Sequence, residues 1–141
     1  MMRWVLDTNV VIAALLWTGH PNRLLDLAID GKVTLYSSPT LIDELAQTLR
    51  YPKFSRRIEQ FGTTPSALTV RYSALVTLMS PTQVPRVVED DADDDHVLAC
   101  ALACQAKLIV SGDKHLLTLG GQYQGMPIVT PDQAVRLIGS R

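Results

Sequence analysis

Residues 3–10 read Arg-Trp-Val-Leu-Asp-Thr-Asn-Val, and the apolar stretch 10–16 (VVIAALL) follows directly. A short apolar run closed by an acid and followed by apolar residues at helical length describes a buried strand, Arg3–Leu6, feeding a helix over Val10–Leu16. Working outward, the same pattern recurs. A helix over Asn22–Ile29 is stopped by Gly31, and Val33–Tyr36 (VTLY) is a second strand. Ser38 and Pro39 then supply an N-cap hydroxyl and a proline at the first helical position. That helix is predicted to run through Glu44 towards Arg50 and to stop before Pro52. Helical patterns follow at Arg56–Phe61 and Ser66–Leu78, divided by Gly62. A short strand is placed around Gln83–Val88, between prolines. Asp93–Ala103 is helical, with acids in its first turn where the macrodipole favours them. Leu108–Val110 is a strand ending near Asp113, Ile128–Val129 another, and Thr130-Pro-Asp132 opens a last helix to Leu137.

Strands alternating with helices imply an α/β fold, a mostly parallel sheet covered on both faces. No repeat or linker divides the chain, so residues 1–141 are read as one domain. At 141 residues the chain can bury a core without disulfides, and 47% hydrophobic residues exclude disorder. Thirteen basic against fourteen acidic residues leave a net charge of -1, so nucleic-acid binding would need a local basic patch. Cys100 and Cys104 lie one helical turn apart without zinc-type partners, and read as reduced core residues of a reducing compartment. Asp7 and Asn9 interrupt the apolar start, which therefore does not read as a signal peptide. The longest apolar run is too short to span a bilayer. A cytoplasmic protein with no membrane partner is the expectation.

In a parallel sheet, sites form beyond the carboxyl ends of the strands. Asp7 directly follows the first strand, and Asp113 follows the strand in Leu108-Ile-Val-Ser-Gly-Asp113. Glu44 sits on the second turn of its helix, and Asp95 in the first turn of another. Four converging carboxylates repel one another and lose hydration, which a cation among them would relieve. An all-oxygen donor set suits Mg²⁺ or Mn²⁺ better than zinc. Read singly, each acid also has an ordinary role. Asp7 could cap a helix, Glu44 could be solvated, the run 90–95 could be a helix N-terminus, and Asp113 could belong to a turn.

Taken in order, the segments Val5-Leu-Asp-Thr-Asn-Val10, Ser38-Pro-Thr-Leu-Ile-Asp-Glu-Leu45, Asp94-Asp-His-Val-Leu-Ala99 and Val110-Ser-Gly-Asp-Lys-His-Leu116 resemble the PIN-domain family of metal-dependent nucleases. Arg50-Tyr-Pro-Lys-Phe54 matches the segment after the glutamate-bearing helix. More narrowly, these segments resemble the VapC-like toxin components of bacterial toxin–antitoxin pairs. This resemblance implies a three-layer α/β/α sandwich with a sheet of about five strands. It also implies Mg²⁺- or Mn²⁺-dependent endoribonuclease activity by hydrolysis, leaving 5′-phosphate and 3′-hydroxyl ends. Asp7, Glu44, Asp95 and Asp113 match the metal-binding, catalytic acids. Asn9, Ser111 and Asp94 match neighbouring supports. The family often carries a second acid where this chain has His115, and Asp94 competes with Asp95 for the direct position.

A phosphate backbone needs cations. Arg50, Lys53, Arg56 and Arg57 form the densest basic cluster, interleaved with Tyr51 and Phe54 that could stack on unpaired bases, and His115 could touch phosphate. A solvated helix face anchored by two aromatics accounts for the cluster equally well. His96 reads as a helix-surface residue, and Trp4 and Trp17 as packing. Partners implied are an RNA substrate, an antitoxin placing an arginine among the carboxylates, and a second copy of the chain. A haloacid-dehalogenase-type phosphatase would need a second acid where Asn9 stands, and a receiver domain would need acids before Asp7. A non-catalytic RNA- or protein-binding module on the same scaffold stays open.

Overall fold

The computed structural model describes residues 2–81, 92–112 and 121–139, with the side chains of 92–94 and 139 set aside. Its elements are β1 (Met2–Leu6), α1 (Thr8–Leu16), α2 (His20–Ile29), β2 (Val33–Ser37), α3 (Pro39–Thr48), α4 (Pro52–Gln60), α5 (Pro65–Leu75), β3 (Thr77–Leu78), α6 (Ala92–Cys104), β4 (Leu108–Val110), β5 (Gln122–Tyr123), β6 (Met126–Val129) and α7 (Pro131–Gly139).

The strands form one sheet in the order β3-β2-β1-β4-β6-β5. All neighbours are parallel except β5, which runs antiparallel to β6. Side chains alternate across the sheet, as a period of two requires. Trp4, Leu6, Val33, Leu35, Leu108 and Val110 face one layer, where they meet Leu16 of α1, Leu24 of α2, Leu45 of α3 and Ala134 of α7. Val5, Ile109 and Ile128 face the other layer, where they meet Val97, Leu98 and Ala101 of α6. The result is an α/β/α sandwich with two apolar cores, one on each side of the sheet. Cys100 and Cys104 are buried and free in the α6 core.

Four helices begin at prolines, and three of these are capped by the hydroxyl of the preceding Ser38, Thr64 or Thr130. Ser38 Oγ accepts from Leu41 N at 3.2 Å, and Thr64 Oγ1 from Ala67 N at 3.1 Å. The α4 helix opens at Pro52, four residues before the predicted start at Arg56. Proline at the first helical position loses no hydrogen bond, so Pro52 starts a helix as readily as it ends one.

Among the described residues the sheet has six strands, and two of them, both two-residue edges, were not predicted. The helix predicted over Ser66–Leu78 ends at Leu75, and Val76 turns extended so that Thr77 and Leu78 pair with Tyr36 and Ser37. Gln122–Tyr123 folds back on Met126–Pro127 through Gln124 (φ 48°) and Gly125 (φ 83°). Two successive positive φ values define the turn whose twist suits a hairpin. The strand predicted at Gln83–Val88 lies outside the described residues.

Candidate functional site

Going outward from β1, the sheet order reverses. The chain builds β2 and then β3 on one side, and returns to place β4 on the other. The crevice between β1 and β4 at their carboxyl ends is thus the topological switch point, where such sheets bind ligands. Asp7 leaves β1 there and Ser111 leaves β4. The ladder carries both into place: Asp7 N donates to Val110 O at 3.0 Å, and Ser111 N to Val129 O at 2.8 Å.

Asp7 is 3% exposed, and both carboxylate oxygens are engaged. Oδ1 accepts from Val10 N at 2.9 Å, which caps α1, and Oδ2 accepts from the hydroxyl of Ser111. The cap reading of Asp7 is therefore true, and it is compatible with a site role. Each oxygen keeps lone-pair capacity, and the two bonds fix the direction in which it points.

Glu44 and Asp95 lie on two helices, α3 and α6, that pack against each other. Ser37 ends β2 at the carboxyl edge, and α3 starts from it, so Glu44 lies about 7 Å along α3 at 1.5 Å per residue. The α3 helix packs against both α1 and α6. Asp95 is 1% exposed, near the start of α6, a helix whose far end leads into β4. Glu44 is half-buried. Among the described residues, no three His, Cys, Asp or Glu side chains come together as a metal-holding group. Asp113, His115 and the side chain of Asp94 lie outside the described residues. Asn9 is exposed on the first turn of α1.

One neighbour had no signal in the sequence. Tyr72 of α5 is 2% exposed, and its hydroxyl has no hydrogen-bond partner among the described residues. Burial pushes its ionisation well above the ordinary 10.0, and the negative potential of Cys100 and Asp7 adds to the shift. A tyrosine on a helix looks like packing until the fold brings it within electrostatic reach of Asp7. Because its folded-state pKa is raised, Tyr72 contributes stability that is complete below pH 10 and is lost above it, where the unfolded chain sheds the proton first. The stability difference between the wild type and Tyr72→Phe in denaturant titrations should therefore be constant below pH 10 and change only on the alkaline side.

The basic cluster sits on and around α4. Arg50, Lys53 and Arg56 are exposed. Arg57 is half-buried and committed: its Nε donates to Leu16 O at 2.7 Å, and its guanidinium lies 5.5 Å from the Trp17 ring centre and 4.6 Å from that of Phe61. Trp4 is fully buried, whereas Trp17, also expected to pack, is 43% exposed. It stands at the surface because it is the C-cap of α1, one residue beyond the buried Leu16.

The model of the PIN-domain family matches residues 3–115, and the chain belongs to that family, whose members are generally nucleases. It is 31% identical over 125 residues to an uncharacterized protein, MJ1680, of Methanocaldococcus jannaschii, covering 88% of this chain and 79% of that one. Its fold is similar to that of PAE2754 from Pyrobaculum aerophilum, with a TM-score of 0.61 at 15% identity, over 99% of this chain and 91% of the other. It is also similar to a chain in the structure of VapBC2 from Rickettsia felis bound to a DNA fragment from their promoter. There the TM-score is 0.59 at 15% identity, over 90% of this chain and 97% of the other. Among the described residues, no helix is long and apolar enough to cross a membrane.

Proposed function

We propose that this chain is a metal-dependent endoribonuclease, the toxin of a toxin–antitoxin pair, with Asp7, Glu44, Asp95 and Asp113 as its metal-binding acids. The observation that carries the reading is a buried, doubly hydrogen-bonded Asp7 at the switch point of a PIN-family sheet. The donor set fits Mg²⁺ or Mn²⁺: it is all oxygen, and such ions keep several waters, so they do not need three protein ligands in contact. When bound, the ion would supply polarisation of the scissile phosphate and a water acidic enough to attack it at neutral pH.

The chain's own residues supply the rest. Val10 N and Ser111 Oγ hold the Asp7 carboxylate in one orientation. Glu44 and Asp95 bring negative charge from the two helices that flank the crevice. Asp94 and Asn9 support these acids, and Arg50, Lys53, Arg56, Arg57 and His115 are assigned to the RNA. An antitoxin would cover the crevice and neutralise it with an arginine, and pairing with a second copy of the chain fits the same reading.

The test is purified protein on end-labelled RNA with Mg²⁺, Mn²⁺ or EDTA. Cleavage should need the metal and vanish in Asp7→Asn; equal cleavage by both proteins would overturn the reading. Ser111→Ala checks the support of Asp7. Losing a partner that orients a metal ligand typically costs 10–100-fold in affinity or activity. A metal titration should therefore shift to higher concentration by about that factor, while saturating metal restores most of the rate.

A further inference from the structure

Five aromatic and cationic side chains form a ladder where α1 ends and α4 passes it. Phe54 meets Trp17 edge to face, with ring centres 6.3 Å apart. Arg57 lies over Trp17 and over Phe61, and Lys53 sits 5.1 Å from the Phe54 ring centre. The bond from Arg57 Nε to Leu16 O ties the ladder to the last turn of α1, satisfying a carbonyl that the helix end leaves open. Anchoring α4 does not require exposed aromatic surface, yet Trp17 is 43% and Phe61 53% exposed, with Tyr51 at 51% nearby. Four cations, Arg50, Lys53, Arg56 and Arg57, share the segment 50–61 with a single acid, Glu59, in a chain whose net charge is -1.

We infer that this ladder is a binding platform for the unpaired bases of a single-stranded nucleic acid. Positive charge interleaved with exposed rings is the chemistry that holds single strands: the cations take phosphates, and bases stack on rings whatever their sequence. A guanidinium already fixed between two rings loses little freedom on binding. A duplex keeps its bases stacked inside and offers only its phosphates.

The platform's place gives it a job, and this part rests on the nuclease reading. Asp7 caps one end of α1 and Trp17 the other, so about 14 Å separates them at 1.5 Å per residue. His20, three residues after Trp17, lies 3.3 Å from Asp132 in the first turn of α7, which leaves β6 at the carboxyl edge. The corner that carries Trp17 is thus kept towards the same edge as Asp7. A strand held at the ladder reaches the acids across about four stacked nucleotides, at 3.4 Å each.

The two tryptophans make the test direct, because Trp4 is fully buried and only Trp17 meets solvent. In EDTA, a uridine-rich 12-nucleotide RNA should quench the emission of the intact chain, and the same sequence in a blunt duplex should not. Phe61→Ser, at an exposed position, should weaken single-strand binding about tenfold, the scale of one lost stacked base. Phe61→Tyr should restore it, and duplex binding should be the same in all three proteins. With Mg²⁺, Phe61→Ser should slow cleavage of the 12-nucleotide RNA and leave a trinucleotide, too short to span the two places, unaffected. Unmoved Trp17 emission at saturating RNA, or equal single-strand affinity in Phe61→Ser and wild type, overturns the platform. So does a Phe61→Ser protein that binds RNA normally but no longer self-associates or holds a purified antitoxin. RNA that binds at the ladder and is never cut leaves the platform standing and removes the nuclease reading.

Discussion

Asp7→Asn should abolish metal-dependent cleavage, a loss of at least about 100-fold, beyond the 10–100-fold typical of disturbing a ligand's partner. The same substitution should raise the melting temperature in EDTA. Two effects compete. The negative charge at the N-terminus of α1 is favoured by about 0.3–1 kcal/mol. Against it stand burial to 3% exposure and, on the proposed reading, repulsion from the other acids of the site. Desolvation and repulsion penalise an ionised carboxyl by more than a helix terminus returns. Repulsion and desolvation therefore win, and removing the charge gains a few degrees at most. The asparagine oxygen can still accept from Val10 N, so the cap survives. Asp7→Ala loses the cap as well, a cost of about 1 kcal/mol, and should melt below Asp7→Asn. An Asp7→Asn protein that melts clearly below wild type in EDTA refutes the repulsion argument.

Trp4→Ala should be the most damaging single change to stability, at about 3–5 kcal/mol. Trp4 is fully buried on β1, a strand paired on both edges, and fills the larger of the two cores. Domains of this kind are stable by only about 5–15 kcal/mol in total, so the variant should be poorly folded at 37 °C. Trp4→Phe separates the two parts of the loss. It keeps most of the apolar contact and also removes Nε1–H, a buried donor with no partner among the described residues. An unmet donor of that kind costs about 1–3 kcal/mol, which offsets part of the lost volume. Chemical unfolding should place Trp4→Phe much nearer to wild type than to Trp4→Ala; equal losses would show that the indole is held by more than packing.

The features that were legible in the sequence are those written in local chemistry. The runs RWVL, VTLY and LIV gave three strands because a buried parallel strand has little room for polar residues. Ser38-Pro39 and Asp7 marked helix starts because a cap is a short-range event. The two edge strands were not legible: two residues carry no periodicity, and what places Thr77–Leu78 is the free edge of β2. The candidate site divides in the same way. Asp7 follows an apolar strand, so its edge could be read directly; Asp113, read in the same way, lies outside the described residues, and Ser111 came from resemblance. Glu44 and Asp95 sit on helices, where only resemblance singled them out, and what relates them in the fold is the packing of α3 against α6. Tyr72 had no local signature, because its approach to Asp7 is made across the sheet. For Trp17, hydrophobicity suggested burial, whereas its position one residue past the end of α1 set its exposure.

The register of β1 bears on how the protein is made. Arg3 bonds to the carbonyl of Cys104, 101 residues away, and Asp7 to Ser111, 104 residues away. A parallel neighbour for β1 on that side does not exist until Leu108–Val110 has been synthesised. Until then β1 has an open edge, and the β4 side of the crevice is missing. Long-range parallel pairing is also intrinsically slow. A nascent chain therefore cannot join Asp7 to Ser111 until the position 104 residues further on has been made, so this crevice closes late in folding.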